Sequence, residues 1–339
     1  MSADRTSLVE DVQARRPSTH VSLTRVGLTG VEKVVRIRAN GEEPQLFYAE
    51  LECFVDLNPR QKGAHMSRFE ETVNDAIEHV VLNEAFKAET LAAHIAKTIR
   101  DRQDSLRAEV HIKARYPEHK PAPVSNAPTQ EIYTMYGSAV ASATGTRRLV
   151  GVAAQGITAC PCAQEMVTSA SRERLAADGF TDDEIERVFE HVPVATHNQR
   201  GIGTLYVGCP ERCDRDIHAA NLLRIVEQAM SSEIFELMKR PDELAVVERA
   251  HRRPRFVEDC VREQIRMALD EFGGFESDTF ILARQENLET IHQHNVVAER
   301  SGLLGEMATE AAGGEHVARH VTMREWLEGS PGAPTSVHG

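Results

Sequence analysis

The feature that most constrains the fold is the order in which hydrophobic periodicity changes along the chain. Residues 33–38 and 46–57 alternate apolar and polar positions, as half-buried strands do; residues 67–101 carry the longer period of helices; residues 108–114 and 131–143 return to alternation. The same order then recurs. Residues 149–158 and 203–208 read as strands, 216–239 and 255–272 as helices, and 279–283 and 288–294 as strands. A strand–strand–helix–helix–strand–strand pattern run twice predicts an α+β chain of two modules, each an antiparallel sheet with two helices on one face. The expected boundaries are a mobile tail over 1–20, modules over 21–145 and 146–304, and a mobile tail over 305–339. The proline-containing stretch 116–128 is expected to be a long loop inside the first module.

Composition narrows the function. A formal charge of −13 over 339 residues, with no extended basic run, excludes a nucleic acid held mainly through its phosphates. The amino-terminal stretch has no apolar segment that would serve as a signal peptide or membrane span, so a cytoplasmic protein without nucleic-acid or membrane partners is expected. In that compartment six cysteines read as reduced thiols or metal ligands rather than a disulfide framework.

Two of those cysteines stand out. Residues 156–162 read Gly-Ile-Thr-Ala-Cys-Pro-Cys, and His197 opens a His-Asn-Gln-Arg stretch. Thiolate sulfur and imidazole nitrogen suit a borderline divalent ion such as Zn²⁺. One residue, Pro161, separates Cys160 from Cys162, which is not the spacing of a closed structural zinc module and makes a disulfide between them awkward. An open catalytic site fits better. Cys209 and Cys213 form a second thiol pair without a companion pair, read as structural, and Cys53 and Cys260 read as core thiols.

Further candidates come from charged groups in unexpected settings. On a helix over 216–239, Glu233 falls within the apolar stripe of Leu222, Val226, Ala229, Met230 and Leu237. A carboxylate buried there needs a salt bridge, a proton or a metal. Lys62, Gly63, Ala64 and His65 precede a helix expected to begin with a Ser67–Glu70 capping box. That turn reads either as a phosphate cradle or as an ordinary helix start with a solvated lysine. His292 and His294 fall on one side of an expected strand, a pair that can bind metal or move protons and is often incidental.

Taken together, residues 56–69, 156–162, 196–200, 239–243 and 287–294 resemble the type IB GTP cyclohydrolases, over about residues 20–300. The resemblance implies a bimodular tunnelling fold of two ββααββ units, a homotetramer, and conversion of GTP and water to formate and 7,8-dihydroneopterin triphosphate. It implies one divalent metal per site (Zn²⁺, Mn²⁺ or Fe²⁺) on Cys160, His197 and Glu233, and Glu248 as the carboxylate that accepts the guanine N–H groups. His292 or His294, with Cys162, would move protons, while Lys62, His65, Arg68 and Arg200 would hold the triphosphate. The related archaeal-type enzyme, with a cyclic phosphate product, and a non-catalytic zinc-stabilised binding module are the alternatives.

Overall fold

A computed structural model describes residues 12–37, 45–80, 87–213 and 215–329. Among the described residues nine strands form one antiparallel sheet: β1 (Leu23–Ile37), β2 (Gln45–Leu57), β3 (Arg107–Pro121), β4 (Pro128–Ser142), β5 (Gly145–Ala159), β6 (Asn198–Cys209), β7 (Ser232–Glu233), β8 (Phe280–Leu288) and β9 (Val296–Leu303). The order is β1-β2-β3-β4-β5-β6-β8-β9. The two-residue β7 pairs with β5 beyond the point where β4 leaves it.

Alternation along the strands decides what each face holds. In β2, Phe47, Ala49, Leu51, Cys53 and Val55 point into a core built with α1 (Met66–Val80) and α2 (Ala88–Gln103), whereas Leu46 and Tyr48 are exposed. Helix α2 forms because Leu91, Ala92, Ile95, Ala96 and Ile99 repeat on one side at helical spacing, and all five are at most 1% exposed. Each fully buried Leu or Ile contributes about 1.5–3 kcal/mol relative to leaving it in water. A second core lies under α5 (Ala219–Ala229) and α7 (Val257–Phe272), which cover Val150, Val152, Leu205, Val207, Ile281 and Ala283. Cys53 and Cys260 are buried as core thiols.

The opposite face carries a third, smaller core. Val140, Leu149 and Phe280 are out of phase with the residues under the helices, and they pack against Trp326 and Leu327 of α9 (Met323–Leu327). Trp326 is 1% exposed, donates its indole N–H to Asp278 O at 2.9 Å, and lies under the Arg147 guanidinium at 5.1 Å. Gly208 makes this possible, because a Cβ there would stand 2.7 Å from the indole ring. Residues from 305 were expected to form a mobile tail. The chain instead forms α8 (Leu304–Ala311) and α9, while 330–339 lie outside the described residues.

Other expectations also change. The stretch 116–128 is mostly a hairpin of β3 and β4, closed by Ala122 N to Ala127 O at 2.9 Å. That bond makes the alternate pairs, including Pro117 opposite Ile132 and Pro121 opposite Pro128, the non-hydrogen-bonded ones, so the prolines interrupt no bond of this ladder. Ser67 lies inside α1 rather than capping it. Cys209 and Cys213, expected to be reduced, are disulfide-bonded where the chain turns after β6 and brings their Cα atoms to 5.7 Å. Among the described residues no helix is long and apolar enough to cross a membrane.

Candidate functional site

Strand β5 ends at Ala159, and Cys160 turns the chain into α3 (Pro161–Ala177) as its N-cap, with Pro161 in the first helical position and Sγ accepting Ala163 N–H at 3.5 Å. The incoming strand β6 stitches to this turn. Cys160 N donates to His197 O at 3.1 Å, and Thr196 Oγ1 donates to Cys160 O at 2.8 Å. Thiol and imidazole, 37 residues apart in sequence, therefore sit on adjoining turns.

The imidazole is held from behind. His197 Nδ1 lies 3.2 Å from Gln199 Oε1 and 3.9 Å from Glu289 Oε2, and Gln199 Nε2 donates to Thr158 Oγ1 at 3.2 Å and Glu289 Oε1 at 3.3 Å. With Gln199 Oε1 as acceptor, Nδ1 carries the proton and Nε2 keeps its lone pair for a ligand. Glu289 is 8% exposed at its side chain. A carboxylate so buried requires a positive or polar neighbour, which the Gln199 amide supplies at 3.3 Å, with the His197 ring beside it. Sequence reasoning left Glu289 unassigned, although it stood in the quoted stretch 287–294.

Glu233 is not on a helix. Helix α5 stops at Ala229, Met230 takes an extended conformation, and Ser232 and Glu233 pair with Ile157 and Gly156 of β5. The apolar stripe through to Leu237 is broken by two buried serines: Ser231 accepts Ala159 N–H on its hydroxyl at 3.1 Å, and Ser232 pairs with Ile157; Leu237 is exposed. The buried carboxylate of α5 is instead Glu227, which accepts Lys120 Nζ and Tyr133 OH, each at 2.7 Å. Burial pushes its carboxyl above the ordinary range, against the opposing pull of Lys120. Lys120 also approaches Glu233 Oε2 at 3.7 Å, a salt bridge of the kind that is one of the three alternatives for a carboxylate buried there.

Glu248 stands on α6 (Arg240–Arg252), which is tied down at both ends. At its start Asp242 accepts Val124 N, Ser125 N, Ser125 Oγ and Lys239 N at 2.6–2.8 Å, clasping the tip of the β3–β4 hairpin. Burial alone would raise the Asp242 carboxyl, but the Ser125 hydroxyl and the backbone N–H groups hold it well below the ordinary range. At its end Gln164 Nε2 donates to His251 O, and Arg252 donates to Glu190 O and His191 O of α4 (Asp182–His191). The half-buried Glu248 carboxylate has no hydrogen bond or ion pair among the described residues.

The remaining candidates are dispersed. Lys62, His65 and Arg68 flank the start of α1, where Gln103 accepts His65 N–H at 3.1 Å and donates to His65 O at 2.8 Å; this turn borders the first core. Cys160, His197, Glu233 and Glu248 belong to the half that holds the second core. Arg200 is exposed and alternates to the face opposite Gln199. Cys162 is exposed on α3. His292 and His294 are on the loop after β8 rather than on a strand, exposed, with their rings stacked at 5.1 Å. Among the described residues no three His, Cys, Asp or Glu side chains converge closely enough to hold a metal.

Residues 9–298 match the family model described as type I GTP cyclohydrolase folE2. Among curated proteins the chain is 40% identical to GTP cyclohydrolase MptA of Methanococcus aeolicus, over 88% of this chain and 98% of that protein. It is also 40% identical to GTP cyclohydrolase MptA of Methanothermobacter thermautotrophicus, over 88% and 95%. Among solved structures it is similar to the uricase from Arthrobacter globiformis, with a TM-score of 0.50, 9% identity, and coverage of 89% of this chain and 97% of that one, a likeness of fold alone.

Proposed function

The chain belongs to the type I GTP cyclohydrolase folE2 family, and from that premise we propose that it opens the imidazole ring of GTP with water, releasing formate and leaving 7,8-dihydroneopterin triphosphate for folate-type pterins. The observation that carries this reading is that the family match runs through the whole site, from Lys62 to His294. Glu248 accepts the guanine amino and ring N–H groups, a task its free carboxylate suits because two oxygens meet two parallel donors. Cys160, His197 and Glu233, which stand apart in this structure, would on closing together hold one divalent ion, Zn²⁺, Mn²⁺ or Fe²⁺, and that ion would supply Lewis acidity at the purine. The free Nε2 of His197 and the adjoining Cys160 support that assignment. Glu233 meets Lys120 through Oε2 and leaves Oε1 without a partner among the described residues.

His292 or His294 protonates the purine nitrogens freed as the C–N bonds break, with Cys162 as a further donor. Lys62, His65, Arg68 and Arg200 are assigned to the triphosphate. The first three border the other core, which favours a site completed between copies and a homotetramer. The two cores support reading the sheet as two ββααββ units. A second product is favoured by the likeness to proteins of archaeal methanogens: a hydroxyl of the ribose-derived side chain attacks the α-phosphorus and loses its proton to solvent, diphosphate leaves, and the pterin keeps one phosphate as a cyclic phosphate, as in the archaeal-type enzyme. Metal-replete protein incubated with GTP should release formate and one pterin, and the phosphate count of that pterin separates the two products. Cys160→Ala should lose metal and formate release while staying folded. Unchanged metal and formate in that variant would remove the thiol from the site, and no formate from the parent protein would defeat the reading.

A further inference from the structure

Gln164 lies one turn after Cys160, and its side-chain amide spends both hydrogens. Nε2 donates to Val194 O at 2.8 Å and to His251 O at 2.6 Å. One amide thereby joins three pieces of chain: the turn that carries Cys160, the segment that leads into His197, and the last turn of the helix that carries Glu248. The His251 carbonyl belongs to a helix end, whose last carbonyls have no partner within the helix, so it is available to such a donor.

Packing does not substitute for this stitch. No residue of α3 is buried, and Ile185 alone is buried in α4. The α3–α4 hairpin therefore relates to the rest of the chain through polar contacts at its root. Gln164 provides two of these, Arg252 reaches Glu190 O and His191 O at 3.2 Å, and Arg255 N bonds Ala159 O at 2.9 Å on the near side of Cys160. Glu248 stands three and four residues before His251 and Arg252, one helical turn from these bonds.

We propose that Gln164 is a positioning residue that sets the placement of the Glu248 carboxylate relative to the Cys160–His197 turn, and so the seating of the guanine ring over the hydrolytic groups. The proposal rests on the functional reading above. Two anchors on separately supported elements act together only if their separation is fixed, and a misplacement of about 1 Å can cost about 100-fold in rate. A Gln164 that merely secures the hairpin would instead affect all purine triphosphates alike.

The test compares GTP with inosine triphosphate, which lacks the amino group that Glu248 would read, in the parent protein, Gln164→Ala and Gln164→Glu. The glutamate variant keeps the side-chain length but turns an oxygen toward two carbonyls. Formate release, metal content and melting temperature are measured for each. The expected result is a fall in kcat/KM for GTP of about 10- to 100-fold, a preference for GTP over inosine triphosphate that shrinks toward unity, and metal content equal to that of the parent. A preference that survives in both folded variants overturns the proposal, as does a rate loss that follows metal loss. A parent protein that turns over both nucleotides equally overturns the Glu248 reading and this proposal with it. A parent that releases formate from neither overturns the proposed function.

Discussion

Replacing Lys120 by methionine isolates the electrostatics that hold the β3–β4 hairpin against α5. Lys120 and Glu227 are 15% and 9% exposed at their side chains and 2.7 Å apart. Removing one partner of such a buried pair costs about 3–5 kcal/mol, because the other charge is left without compensation. Methionine keeps an unbranched stem against the Phe235 ring, which the ammonium approaches to 4.4 Å, and Tyr133 still donates to Glu227. The expected loss is therefore about 3 kcal/mol, a large share of the roughly 5–15 kcal/mol that stabilises an ordinary domain. The assay is urea unfolding at pH 7 with an unchanged slope against denaturant. The double variant Lys120→Met/Glu227→Gln should be less destabilised than the sum of the two single changes, by at least about 1 kcal/mol. The sign of the pH dependence follows from Glu227. Burial raises its carboxyl in the folded state, so the folded chain binds that proton more tightly, and the associated stability is present at low pH and lost as pH rises through the folded value. Lys120 opposes this by favouring the charged form. Without it the deficit should shrink as the pH is lowered from 7 toward the carboxylate range. A deficit below about 1 kcal/mol at pH 7, or one that grows on acidification, would refute the reasoning.

Glu233→Ala should abolish metal binding if the carboxylate is a ligand; full metal occupancy in the folded variant would leave it only its approach to Lys120. Glu109, although burial works against it, is held down to about 2 by His111 and Arg107. The stability this confers is complete above the ordinary carboxylate value near 4.5 and is lost as pH falls toward about 2. Glu109→Gln should accordingly flatten the acid limb of the stability profile, and a limb as steep as the parent's would show that other carboxylates control it.

Strand β2 was legible because it buries one face, so alternation in Phe47, Ala49, Leu51 and Cys53 is visible without any partner. Helix α3 was invisible for the converse reason: with no buried residue it prints no apolar stripe, and its signals were local, Pro161 after Cys160 and the Thr181–Glu184 capping box of the helix that follows. Glu233 was misplaced because Met230 and Leu237 continue the stripe of α5 in register, although the backbone leaves the helix between them. Trp326 sat in a segment rich in glycine and charge, and its burial depends on Gly208, more than a hundred residues away. Within the site, Cys160 and His197 were legible as residue types. Glu289 and Gln164 were not, because what marks them is where their oxygens and hydrogens point.

The docking of α9 makes the chain self-reporting. Trp326 is its sole tryptophan, and the indole is sealed between Phe280, Leu149 and the Arg147 guanidinium on the face away from α5 and α7. Light absorbed selectively by indole therefore illuminates one short carboxy-terminal helix that lies past the stretch matched by the family. A red shift of that emission signals water reaching β5 and β8 on this side, whether or not the second core has opened. Two spectroscopic clocks, this one and the circular dichroism of the whole sheet, can thus time the release of the strap separately from the loss of the fold beneath it.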